Sequence, residues 1–161
     1  MPSYKAPLRD IKFVLNELLT IQNYGNLPGF ADATPETLDA ILEEGAKIME
    51  EVIQPLNQVG DLEGCTWNNG VVTTPKGFKE AYKAYCEGGW IGLTADPEYG
   101  GQGLPHVLGI VMAEMMSGAN MAFGMYPGLS HGAYEAIHAW GTDEQKKTYL
   151  PSWCRANGPA P

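Results

Sequence analysis

Residues 90–105 read Trp90-Ile91-Gly92-Leu93-Thr94-Ala95-Asp96-Pro97-Glu98-Tyr99-Gly100-Gly101-Gln102-Gly103-Leu104-Pro105. A short apolar run ends in an acidic, glycine-rich turn, and an apolar pattern of helical period starts directly after it. Gly100, Gly101 and Gly103 can take positive φ without a Cβ penalty, and Pro105 suits the first turn of a helix. On this reading the stretch is a tight connector, so the segments on either side of it decide the fold class.

Downstream, Val107, Leu108, Val111, Met112 and Met115 predict a helix that is apolar over much of its circumference, as expected in the middle of a bundle. A break near Gly118-Ala119-Asn120 leads to a second helix, roughly Tyr126 to Trp140. Thr142 with Gln145 three residues on is a capping box that opens a last short helix.

Upstream, Thr34-Pro35-Glu36 is a helix start with a hydroxyl cap, a proline in the first turn and an acid near the positive end of the dipole. A long stripe follows through Leu38, Ile41, Leu42, Ile48, Met49, Val52, Ile53 and Leu56, and Pro55 is expected to kink or shorten its last turn. Leu8, Ile11, Val14, Leu15, Leu18 and Leu19 predict a short amphipathic helix after Pro7, and residues 22–33 a loop. Residues 60–73 are rich in glycine and asparagine, with a small hairpin expected around Asn68-Asn69-Gly70. Thr74-Pro75 repeats the start signal, for a helix carrying Phe78, Ala81, Tyr82 and Tyr85. No segment shows sustained strand alternation. The expected fold is an all-α bundle of about five or six helices, divided into a leader (1–33), a helical domain (34–151) and a tail (152–161).

The chain has 161 residues, 44% of them apolar and 18% charged, which is the composition of a globular protein with a sizeable core. Its net charge is −9 and its ten basic residues are scattered, so it has no basic stripe for nucleic acid. The cysteines Cys65, Cys86 and Cys154 form no CxxC and are odd in number, which points to a reduced, cytoplasmic protein. The N-terminus carries no apolar h-region, and no uninterrupted apolar run approaches the ~18 residues of a membrane span.

His131, Glu135 and His138 can share one helix face, and Glu135 with His138 matches the Glu-x-x-His of di-iron bundles. That chemistry needs a second such motif, and none is present; an exposed and a packed histidine explain the spacing as well. Gly100-Gly101-Gln102-Gly103 precedes a helix as a phosphate cradle would, but it matches neither dinucleotide nor P-loop spacing, and turn geometry accounts for it. Met112, Met115, Met116, Met121 and Met125 read as core, or as a soft apolar surface for varied ligands. Asp96 and Glu98 read as solvated charges in an exposed turn. Ser117 and Ser130 lie in no nucleophile elbow. The residues alone present no catalytic set.

Trp90–Pro105 together with Gly141-Thr142-Asp143-Glu144-Gln145-Lys146-Lys147-Thr148-Tyr149-Leu150-Pro151 resembles the N-terminal helical domain of the acyl-CoA dehydrogenases. The leader Tyr4 to Leu15 looks like that of a longer-chain branch that includes 3-methylmercaptopropionyl-CoA dehydrogenase-like enzymes. The resemblance implies an up-and-down helical domain followed, in the family, by a flavin-binding β-domain and a C-terminal bundle. It implies α,β-dehydrogenation of an acyl-CoA thioester, with FAD as hydride acceptor, a carboxylate base from the C-terminal domain, and an electron-transfer flavoprotein as partner.

The domain's own share of this would be part of the acyl-chain pocket. Counting back from Gly141 places it on Phe123, Gly124, Pro127, Gly128 and His131. Small residues at 124 and 128 leave room for a ligand, or equally allow close helix packing. Ser152 to Pro161 departs from the family pattern, so a chain truncated before the β-domain is expected. Such a chain would have a disordered tail and no tightly held FAD or catalysis of its own. It would also tend to form homo-oligomers or self-associate. The alternative is a small helical interaction module without catalysis.

Overall fold

The computed structural model describes residues 3–154. Helix α1 (Leu8–Phe13) follows Pro7 and runs on through a π-turn, Val14–Leu18. Helix α2 (Pro35–Ile48) opens as expected at Thr34, whose Oγ1 accepts the Thr37 N–H at 3.3 Å. Of the two expected effects of Pro55, shortening does not occur: the chain stays helical through it. A π-turn, Met49–Ile53, widens the helix by one residue, with the Gln54 N–H reaching Met49 O at 2.8 Å. The widened turn accommodates a residue that has no N–H to give, and α3 (Pro55–Glu63) continues into the start of the glycine- and asparagine-rich segment 60–73.

The hairpin forms where the sequence places it. Strands β1 (Thr66–Asn68) and β2 (Val71–Thr73) pair Trp67 with Val72, and Asn69 and Gly70 both take positive φ, 49° and 84°, as a two-residue hairpin turn requires. Thr74-Pro75 does not start the next helix. The Phe78 N–H turns back to Pro75 O at 3.3 Å, Gly77 takes φ 86° close against Leu56, and α4 (Phe78–Glu87) begins only then.

Helix α5 (His106–Trp140) is broken at Asn120, where φ −163° and ψ 90° are extended rather than helical. Its second arm therefore starts at Met121, one turn and more before the expected Tyr126. Helix α6 (Asp143–Cys154) opens with the expected capping box: Gln145 Oε1 accepts the Thr142 N–H at 2.9 Å, and Thr142 Oγ1 accepts the Gln145 N–H at 3.3 Å. It includes residues 152–154, which were expected in a patternless tail, because Leu150 and Cys154 are buried with Ala95 and Tyr134 in a small second core. The rest of the expected tail, 155–161, lies outside the described residues.

The main core lies between α2 with its π-turn (Leu38, Leu42, Met49, Ile53), the first arm of α5 (Leu108, Met115) and α1 (Ile11, Leu15). Lys12 ties α1 to Asp39 and Glu43 of α2, both at 3.1 Å. The leader is pinned by Glu50, whose carboxylate accepts the Ala6 N–H at 2.9 Å and pairs with Lys5. Among the described residues the fold is all-α apart from the hairpin. By length and composition α5 is apolar enough to cross a membrane, although the sequence shows no long uninterrupted apolar run. In the fold it is interrupted at Asn120, and 44% of its most apolar stretch is buried.

Candidate functional site

The Trp90–Pro105 connector folds on itself through backbone hydrogen bonds. The Gly101 N–H donates to Asp96 O at 3.0 Å, Gln102 N–H to Gly92 O at 2.9 Å, Gly103 N–H to Ala95 O at 2.9 Å and Leu104 N–H to Leu93 O at 3.1 Å. Gly100 and Gly103 take positive φ, 94° and 67°. Gly101 does not; it is needed for close approach, since a Cβ there would lie 2.1 Å from Ala95 O. The amides that a phosphate cradle would need are thus already engaged, which supports turn geometry over an anion site.

Asp96 is more than a solvated charge, contrary to the sequence reading. Its Oδ1 accepts the Glu98 N–H at 2.8 Å, its Oδ2 lies 3.1 Å from His138 Nε2, and its own N–H donates to Tyr134 Oη at 2.9 Å. His138 stacks on Tyr134, with centroids 5.6 Å apart and planes at 11°. Burial pushes the Tyr134 hydroxyl up to about 12, so it stays protonated at neutral pH while its oxygen accepts the Asp96 N–H. The three side chains fasten the connector to the second arm of α5. His131 turns instead to Glu135, at 3.9 Å, so the residues of the suspected metal face go to different partners. Among the described residues no three metal-ligating side chains come together.

The Glu98 N–H first, and His138 second, hold the Asp96 carboxyl below the usual carboxylate range. Lys5 first, and the Ala6 N–H second, do the same for Glu50. A group with a lowered folded pKa stabilises above its unfolded value, and that contribution is lost as pH falls through the folded value. Below about pH 4, where unfolded Asp and Glu take up protons, thermal stability is expected to fall. Melts across that range should show a shallower loss in Asp96→Asn than in the unsubstituted chain; parallel curves would refute the latch.

Between connector and helix lies a groove of about 410 Å³. Trp90, Ile91 and Thr94 form one wall, Gly109, Met112 and Met116 of the first α5 arm the floor, and Gly124, Pro127, Gly128 and His131 of the second arm the other wall. No Asp, Glu, Lys or Arg lines it, and its polar side chains are Thr94, Tyr85, the Trp90 indole and the histidines His106 and His131. Four of the five residues expected at a ligand pocket thus border one groove. Phe123 does not: it is 3% exposed and packs in the core at 5.7 Å from Phe78 and 6.5 Å from Tyr82.

The two small residues have different surroundings. A Cβ at Gly124 would lie 2.8 Å from Met116 Cγ, so this glycine serves helix packing. At Gly128 nothing lies within 4 Å, so the wall is open there. The methionines also divide, with Met112, Met115 and Met116 buried and Met121 and Met125 exposed. The connector wall and His106 escaped the sequence reading, because a turn carries no period that shows which way its side chains face.

Residues 35–157 match the family model described as "Acyl-CoA dehydrogenase, N-terminal domain". The chain belongs to the acyl-CoA dehydrogenase family. It is 38% identical over 148 residues to 3-methylmercaptopropionyl-CoA dehydrogenase of Ruegeria pomeroyi, covering 92% of this chain and 25% of that protein. It is 32% identical over 158 residues to butyryl-CoA dehydrogenase of Syntrophomonas wolfei, again 92% and 25%. To the broad-specificity linear acyl-CoA dehydrogenase FadE5 of Mycobacterium tuberculosis it is 29% identical over 149 residues, 91% and 24%. The chain spans about a quarter of the length of these curated relatives. The family match runs to residue 157 and α6 to Cys154, which corrects the expected departure from the family pattern at Ser152.

Proposed function

We propose that this acyl-CoA dehydrogenase N-terminal domain supplies one side of an acyl-chain pocket for α,β-dehydrogenation of an acyl-CoA thioester. The largely apolar groove, lined by no Asp, Glu, Lys or Arg and with its open wall at Gly128, is the observation that carries this reading. A pocket for a hydrocarbon chain is mostly apolar with a few placed polar groups, and this groove has that character. The printed names of the relatives (butyryl, 3-methylmercaptopropionyl, linear acyl) support an unbranched chain. A floor of flexible methionine side chains tolerates several lengths of it.

The glycine turn does not fit the diphosphate of FAD. The flavin diphosphate needs donors, and the glycine-turn amides already give theirs to backbone carbonyls. In our reading FAD, the catalytic base and the contact with an electron-transfer flavoprotein belong to parts of such an enzyme other than these residues. The chain alone is then inactive, and dehydrogenation by the purified chain with an artificial acceptor would overturn this. Free thiols at Cys65 and Cys86 support a cytoplasmic location.

Gly128→Leu tests the groove. The site is open, so thermal stability is not expected to fall, and replacing a glycine inside a helix adds up to about 0.8 kcal/mol. Calorimetric binding of a chain-length series of acyl-CoA thioesters should weaken for long chains first. Equal loss for short and long chains, with lowered stability, would sink the pocket assignment.

A second reading, an interaction module, has one observation in its favour. Met121, Met125 and Leu129 lie four residues apart on an exposed face of α5, and Trp140 at its end is 89% exposed. Exposed apolar stripes of this kind mark interfaces. On either reading we propose that the chain self-associates, and a monodisperse monomer at high concentration in light scattering would argue against it.

A further inference from the structure

We propose that Asn120 is a positioning residue of the groove, its side-chain amide setting the angle between the two arms of α5 and thereby the width available to an acyl chain. Asn120 is 1% exposed and is the one buried polar residue in the core of the described residues. Its backbone breaks the helix, and its Oδ1 accepts the Phe123 N–H at 3.0 Å, capping the second arm. Its Nδ2 donates to Ile53 O over a longer 3.4 Å. That carbonyl is available because the neighbouring turn is irregular: beside Pro55, the Asn57 N–H turns to Gln54 O at 3.0 Å. One amide therefore decides where the second arm begins and ties the elbow to the π-turn of the α2–α3 helix.

The groove lies in the angle of that elbow. Met112 and Met116 precede it, and Gly124, Pro127 and Gly128 follow it. The arms touch at Met116 and Gly124 and are apart at Gly128. A change of angle at Asn120 thus moves the Gly128 wall relative to the floor. This inference rests on the groove being the acyl site, and the test separates the two.

Asn120→Ser retains an acceptor near the Phe123 N–H and loses the donor to Ile53; Asn120→Ala loses both. Leu42→Ala, a core site outside the groove, controls for lost stability. Residual dipolar couplings on the 161-residue chain report the angle between residues 106–118 and 121–140. The angle is expected to change in Asn120→Ser and Asn120→Ala and to stay in Leu42→Ala; if Asn120→Ala does not fold, Asn120→Ser decides. An unchanged angle in Asn120→Ser overturns the proposal. The affinity ratio for butyryl-CoA against decanoyl-CoA is expected to shift at least about fivefold in the Asn120 variants only. A changed angle with an unchanged ratio refutes the link to groove width. If the unsubstituted chain binds neither thioester while the angle still depends on Asn120, the acyl-site reading fails and the elbow assignment stands.

Discussion

Replacing Gly101 by alanine is expected to cost at least about 3 kcal/mol, lowering the melting temperature by roughly 6–12 °C for a chain of this size. The added Cβ would lie 2.1 Å from Ala95 O and 2.3 Å from Ala95 C. Neither atom belongs to a flexible side chain. Ala95 O is also held by the Gly103 N–H at 2.9 Å, and the adjoining Gln102 and Leu104 amides are bonded to Gly92 and Leu93. Relief must open the connector and drag Asp96 away from Tyr134 and His138, so the second core loosens as well. Gly132→Ala is the matched control, because a Cβ there meets nothing within 4 Å and alanine favours a helix. Calorimetric melts of both variants check the prediction; Gly101→Ala melting within about 2 °C of the unsubstituted chain would refute it.

Asn120→Ala is expected to cost about 2–4 kcal/mol. Loss of the cap, which leaves the Phe123 N–H unpaired, contributes ~1 kcal/mol, and the Ile53 carbonyl left without its donor adds ~1–3 kcal/mol. Alanine's better helix propensity returns less than about 0.7 kcal/mol, and only if the helix straightens through residue 120. Straightening would drive the second arm into its neighbours, because Phe123 is packed between Phe78 and Tyr82. Urea unfolding followed by circular dichroism measures the cost, and an unchanged midpoint would remove Asn120 from the structural argument altogether.

Much of the fold was legible because its signals are local. Thr34-Pro35, Thr142 with Gln145, and Asn69-Gly70 each satisfy or reverse the backbone within a few residues, and each does in the structure what its chemistry dictates. The misreadings came where a neighbour overrode a local signal. Pro55 looks like a stop, yet the helix widens ahead of it and Asn120, far along the chain, partners the irregular turn. Thr74-Pro75 looks like a start, yet the chain makes one more turn at Gly77 against Leu56. Among the candidate site residues, Gly124 and Gly128 were indistinguishable in the sequence. Met116 lies against one and open space against the other.

The sequence by itself determined the helical class, the caps, the connector and the family, because each depends on residue types at short, fixed spacings. Only the tertiary structure decided that Asp96 is a latch, that Phe123 belongs to the core, and that the arms of α5 enclose a groove. Those outcomes depend on which groups meet at sequence separations of 38, 45 and 67, as Asp96 meets Tyr134, Phe123 meets Phe78, and Asn120 meets Ile53. Helical period fixes the direction of a side chain only relative to its own helix, and the kink at Asn120 redirects every side chain beyond it.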